Sequence, residues 1–208
     1  MRRFRPFSVA TAALAAALLL AAGQTLLRLD GFDPLPPKKL PPGYEVRGSG
    51  YHVRNDQLDV VVEPLMLKDM PAYYEARGLK NPFYDIPPLM NYFFVRLRIE
   101  NLSGKTTLEF LPTNVIFENS MAKDESRVYE TFYGMEDGEA RLDTLGKTLF
   151  LKPLFLPPGQ WIERLLFFEY EEPIPTKRMS LVLANLALGK TRTDLVFPYR
   201  GRFIREKR

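Results

Sequence analysis

Residues 91–101 read NYFFVRLRIEN, and this stretch decides the fold. Phe93, Val95, Leu97 and Ile99 alternate with Phe94, Arg96, Arg98 and Glu100. A period of two sends successive side chains to opposite sides of an extended chain. One side is therefore apolar and the other largely charged, which defines a half-buried β-strand. Asn101-Leu102-Ser103-Gly104 follows as a turn, and the next strand-like run begins at once.

Strand signals recur on both sides of this stretch. Upstream, Leu58, Val60 and Val62 alternate with Asp59, Val61 and Glu63 in residues 57–68, with Pro64 marking an edge or a bend. Asn55-Asp56 suits a hairpin turn back to residues 44–54, an edge or bulged strand interrupted at Gly48 and Gly50. Residues 69–90 break the alternation. Asp69, Pro71 and Gly78 bracket a two-turn helix there, and Pro82, Pro87 and Pro88 make the rest an irregular connection.

Downstream, residues 106–111 and 114–118 read as two short strands joined at Pro112. Residues 118–126 are polar and read as an exposed loop, 127–133 as a strand and 136–145 as a helix. Pro157-Pro158-Gly159 turns into residues 160–170, which are apolar on both faces and read as a central strand. Residues 179–188 and 191–199 close the chain as a hairpin through Gly189-Lys190. The pattern predicts an all-β fold: an antiparallel β-sandwich of seven or eight short strands with short helical insertions.

The ends of the chain read differently from its body. Residues 1–27 hold Arg2, Arg3 and Arg5, then an unbroken apolar run of 11 residues, Ala12 to Ala22, with small residues before Gln24. That is the layout of a secretory signal peptide cleaved near Gly23. Residues 7–27 also offer the rival reading, an N-terminal hydrophobic helix that stays as an inner-membrane anchor. Either reading exports the body, to the periplasm or cell envelope. Residues 28–43 carry five prolines and read as a Pro-rich linker, and residues 200–208 as a basic tail, leaving 44–199 as the folded body.

Charge and composition narrow the function. The N-terminal arginines contribute +3 and the residues from Arg200 contribute +4, so within a chain of net charge +4 residues 6–199 carry −3. A slightly acidic body is poor electrostatic footing for nucleic acid. The basic tail and residues 7–27 are the places for membrane proximity. The absence of cysteine removes disulfides, thiolate nucleophiles and cysteine metal sites together.

Three stretches carry a resemblance. Val62-Glu63-Pro64-Leu65 runs into a Tyr-containing helix, NYFFVRLRIENLSGKTTLEFLPTNVIF follows, and LPPGQWIERLLFFEY precedes the closing hairpin. Over residues 57–198 this is similar to the immunoglobulin-like (telokin-like) domains of bacterial exported proteins, many of them lipoproteins of unknown function. The resemblance implies a fold and an address outside the cytoplasm. It brings no catalytic residues, and the lipid-acceptor cysteine is missing.

No residue set predicts catalysis or a cofactor. His52 is the only histidine, has no nucleophile motif nearby, and reads as a surface residue. Glu136, Asp137, Glu139 and Asp143 lack the spacing of a calcium loop and read as a solvated helix start, so no metal is expected. Asn101-Leu102-Ser103 matches a glycosylation sequon by chance. Tyr73, Tyr74, Phe83 and Tyr84 are the expected partner-binding residues, because Tyr-rich, Pro-stiffened segments expose amphipathic area at low entropic cost. The expectation is a non-catalytic envelope module for protein–protein interaction or scaffolding. The alternative is a periplasmic small-molecule or carbohydrate-binding protein that uses the aromatic insertion 70–90.

Overall fold

The computed structural model describes residues 25–87, 91–170 and 178–207. The hydrophobic segment expected within residues 1–27 lies almost wholly outside them. Among the described residues no helix is long and apolar enough to cross a membrane. The chain divides into a unit of residues 30–202 and a unit of terminal residues, up to Leu29 and from Phe203.

Twelve strands and three α-helices are found among the described residues. In chain order they are β1 (Thr25–Pro34), β2 (Tyr44–Arg47), β3 (Gly50–Arg54), β4 (Leu58–Met66), α1 (Met70–Glu75), β5 (Tyr92–Asn101), β6 (Leu108–Phe110), β7 (Val115–Phe117), β8 (Ser120–Met121), α2 (Glu125–Phe132), α3 (Gly138–Thr148), β9 (Leu154–Leu156), β10 (Trp161–Glu169), β11 (Arg178–Leu188) and β12 (Thr191–Lys207). One sheet has the order β10-β5-β4-β3-β2. The other runs β1-β12-β11-β6-β9, with β7 and β8 branching from β11. The strand pairs whose register is established are all antiparallel. The chain is therefore mostly β, in two antiparallel sheets, as the alternation predicts.

The registers explain the faces. Ile99 lies opposite Val60 and Ile162, and Val95 opposite Pro64 and Leu166, so one face of the five-stranded sheet is apolar across three strands. That face meets the seven-stranded sheet through rings. Phe93 lies 5.3 Å from Phe32 and 4.9 Å from Phe117, and stacks on Phe168 at 4.9 Å. Tyr51 packs on Phe197 at 5.6 Å and on Tyr199 at 5.3 Å. Each buried ring contributes about 1.5–3 kcal/mol relative to exposure, and the arrangement is compatible with a β-sandwich. Gly50 is fixed by closeness: a Cβ there would lie 2.0 Å from the Val62 carbonyl oxygen.

Several elements depart from the sequence reading, each for a physical reason. The expected linker 28–43 contains most of β1, and Phe32 is a core ring. Within residues 28–33 the apolar side chains, Leu29 and Phe32, lie three apart, so no period of two announces a strand whose partner, β12, comes from the other end of the chain. The expected tail from Arg200 is likewise the continuation of β12 to Lys207. Of residues 127–133, expected as a strand, 127–132 fall in α2 and Tyr133 is its C-cap. Asp124 caps that helix by accepting from the Arg127 N–H at 3.0 Å, and Val128 and Phe132, four apart, bury one face. The polar stretch 118–126 holds β8 and a buried Ala122. Strand β10 is at the edge of its sheet. Its apolar outer side chains are covered by helices instead, and Phe150 donates its N–H to the Leu165 carbonyl at 2.8 Å. Pro64 sits beyond the last β3 partner, Val62, so its missing N–H leaves no β3 carbonyl without a donor.

Candidate functional site

The outer face of the five-stranded sheet changes character half-way along β5. At its start, Tyr92 and Phe94 face the same side as Leu165 and Phe167 of β10. Met70, Tyr73 and Tyr74 of α1, Phe83 and Ile86 of the following loop, Val128 and Phe132 of α2 and Leu145 of α3 cover them as a second hydrophobic core. Phe83 is at its centre, with ring centroids 4.7 Å from Phe94, 5.5 Å from Phe132 and 5.6 Å from Phe167.

Three of the four rings expected at a partner-binding surface are thus interior. Tyr73, Tyr74 and Phe83 are buried, and Tyr74 Oη is 3.0 Å from Thr148 Oγ1. Burial pushes the ionisation of both tyrosines up. The reason is geometric: the apolar half of β5's second face needs a cover, and the aromatic insertion supplies it. Only Tyr84 is exposed, at 49%. It lies over the Arg141 guanidinium at 4.3 Å, which grips Asp85 through two bonds of 2.6 and 2.7 Å. That contact holds the Asp85 carboxyl below its ordinary range.

The other half of the face is a lattice of paired charges. On β5, Arg98 reaches Glu100 at 2.6 Å and Asp59 of β4 at 3.4 Å. Arg96 pairs with Glu63 of β4, which also accepts from Ser49 Oγ at 2.9 Å. Asp59 further accepts from Arg54 at 3.2 Å and contacts His52 Nε2 at 3.0 Å. On β2, Glu45 pairs with Arg47 at 2.9 Å and lies 3.6 Å from His52 Nδ1. The Arg47 hydrogen bond first, and His52 after it, hold the Glu45 carboxyl below its ordinary range. Trp161 borders this lattice, 59% exposed, 5.2 Å from the Arg98 guanidinium.

His52 corrects an expectation. It is 8% exposed and paired, because outward-facing side chains of β2, β4 and β5 close around it. The alternation of Arg96, Arg98 and Glu100 gave the lattice away in sequence; the cross-strand partners depend on registers that no local pattern carries. Among the described residues no three His, Cys, Asp or Glu side chains gather as a metal site. What the face can do is offer many oriented hydrogen-bonding groups around one large exposed ring.

No protein-family model matches this chain, no curated protein matches it, and no solved structure matches it.

Proposed function

We propose that the chain is a non-catalytic module of the cell envelope, exported by its N-terminal segment, with an immunoglobulin-like β-sandwich that docks a protein partner on the charged outer face of its five-stranded sheet. The observation that carries this reading is the division of that face. One half is covered by the chain's own helices, while the other is uncovered among the described residues, spans β2, β3, β4, β5 and β10, and carries Trp161 beside Arg98. Exposed Trp beside Arg is the composition of an interaction hot spot. Paired charges around it favour specificity over raw affinity, since each bridge must be exchanged for a matched one on the partner. Tyr73, Tyr74 and Phe83 are used up in packing, so the aromatic wall on which the small-ligand alternative relied is not offered to solvent.

The test is photocrosslinking in intact cells from two exposed positions on opposite sheets. A crosslinker replacing Trp161 is expected to trap one discrete protein adduct, and one replacing Phe155, on the other sheet, is not. Equal or absent adducts from the two positions defeat the proposal.

A further inference from the structure

We infer that His52 is a pH-sensitive latch for the edge strand β2: the protonated ring ties β2 to β4 across β3, and loss of its proton loosens β2. The basis is a chain of contacts between outward side chains on four successive strands: Glu45 lies opposite His52, and Asp59, diagonal to His52 across β3 and β4, joins it to Arg98. The imidazole has a carboxylate at each nitrogen, Asp59 Oδ1 at 3.0 Å from Nε2 and Glu45 Oε2 at 3.6 Å from Nδ1. A neutral imidazole donates through one nitrogen and presents a lone pair at the other. Neither tautomer suits both carboxylates; the one bonded to Asp59 turns a lone pair on Glu45. Only the imidazolium donates both ways.

The surrounding charges are otherwise fixed. Arg47 on β2, Arg54 on β3, and Arg98 with Glu100 on β5 are the other charged groups of the cluster, and Glu163 of β10, opposite Arg98, is paired with Arg77. Three cations set against Glu45, Asp59 and Glu100 leave the surroundings neutral, so the ring's proton decides the sign of the cluster. Imidazole is the side chain that changes charge between about pH 5 and 8. The Glu45 carboxyl, held low by Arg47, remains ionised across that window. The sign follows. Two charge-assisted contacts exist only in the folded, protonated form, so β2 is most firmly held on the acid side and loosens as the ring loses its proton. Strand β2 is four residues long with one sheet neighbour, β3, and besides that ladder it is held by Tyr44, whose ring packs on Phe197 at 5.8 Å.

Amide hydrogen exchange on the full chain tests this. After correction for intrinsic rates, β2 amides are expected to be about fivefold better protected at pH 5.5 than at pH 8.0, the scale of one partly exposed ion pair. The β11–β12 hairpin is the control and is expected not to change. Glu45→Gln is expected to flatten the pH response of β2. In the unaltered protein, the His52 ring titration followed by NMR and the loss of β2 protection are expected to share a midpoint. Protection of β2 that is indifferent to pH, separate midpoints, or an undiminished response in Glu45→Gln each overturns the proposal.

Discussion

Asn101 shows how much one side chain can hold. It is fully buried at the end of β5, and its amide uses every hydrogen-bonding site it has. Nδ2 donates to the carbonyls of Thr106 and Leu156, both at 2.8 Å, and Oδ1 accepts from the Ser103 N–H at 3.0 Å and its hydroxyl at 2.7 Å. One residue thereby ties β5 to β9 of the opposite sheet. The glycosylation sequon is closed for the same reason, since the nitrogen a glycan would need is engaged. Asn101→Ala is expected to cost about 3 kcal/mol, because the Leu156 carbonyl and the Ser103 N–H lose this partner in the interior, while the Thr106 carbonyl still accepts from the Ser103 hydroxyl at 2.7 Å. Denaturant titration reads this as a lower midpoint at constant slope. Tyr199 is the opposite case. Its hydroxyl is buried with no hydrogen-bond partner among the described residues. Tyr199→Phe removes an unpaired polar group while keeping the ring contacts to Phe32, Phe117 and Tyr51. The variant is expected to be unchanged or up to about 1 kcal/mol more stable; clear destabilisation would show that the hydroxyl has a partner.

At the scale of elements, Arg141 organises the helical cover. Its guanidinium, 3% exposed, donates to the carbonyls of Pro82 and Glu136 at 2.9 and 3.1 Å as well as to Asp85, joining α3 to the loop after α1. Arg141→Ala is expected to cost roughly 2 kcal/mol through the orphaned carbonyls. Exchange should rise in α3 and the 82–86 loop before it rises in β5. If β5 exchanges as fast as α3 in the variant, the cover and the sheet open as one body. None of this was legible in residues 136–145 beyond the presence of a helix, because a buried arginine looks like any surface arginine until its carbonyl partners are placed. Strands with strict alternation, such as β4 and β5, were legible to within a residue or two. The errors cluster where partners are remote. Strand β1 depends on β12 across the whole chain, and the run Arg127–Tyr133 has Val128, Tyr129, Phe132 and Tyr133 at spacings that serve a helix face as well as a strand. Residues 160–170 are apolar on both faces because helices cover an edge strand, a cause that sequence cannot separate from a central position.

At the scale of the molecule, the five-stranded sheet is a shared wall between two aromatic cores, and tyrosines report on both. Tyr51 and Tyr199 lie in the inter-sheet core, Tyr73 and Tyr74 in the core under the helices. Burial raises the ionisation of all four above the ordinary tyrosine value. The direction fixes the pH response. The unfolded chain loses these phenolic protons first, so stability is intact below the unfolded tyrosine value near pH 10 and falls as pH rises beyond it. Each tyrosine protonated in the fold but ionised in the unfolded chain contributes a slope of about 1.4 kcal/mol per pH unit. Tyrosinate absorbance followed alongside far-ultraviolet circular dichroism is expected to show a late fraction of tyrosinate that appears only as β-structure is lost. Tyr74→Phe and Tyr199→Phe should each reduce that late fraction. Were every tyrosine to ionise before the dichroism changes, neither core would be closed to hydroxide. If the tyrosinate removed by Tyr74→Phe appears ahead of the dichroism change while that removed by Tyr199→Phe appears with it, the helical cover opens first, and the shared wall separates two cores of different stability.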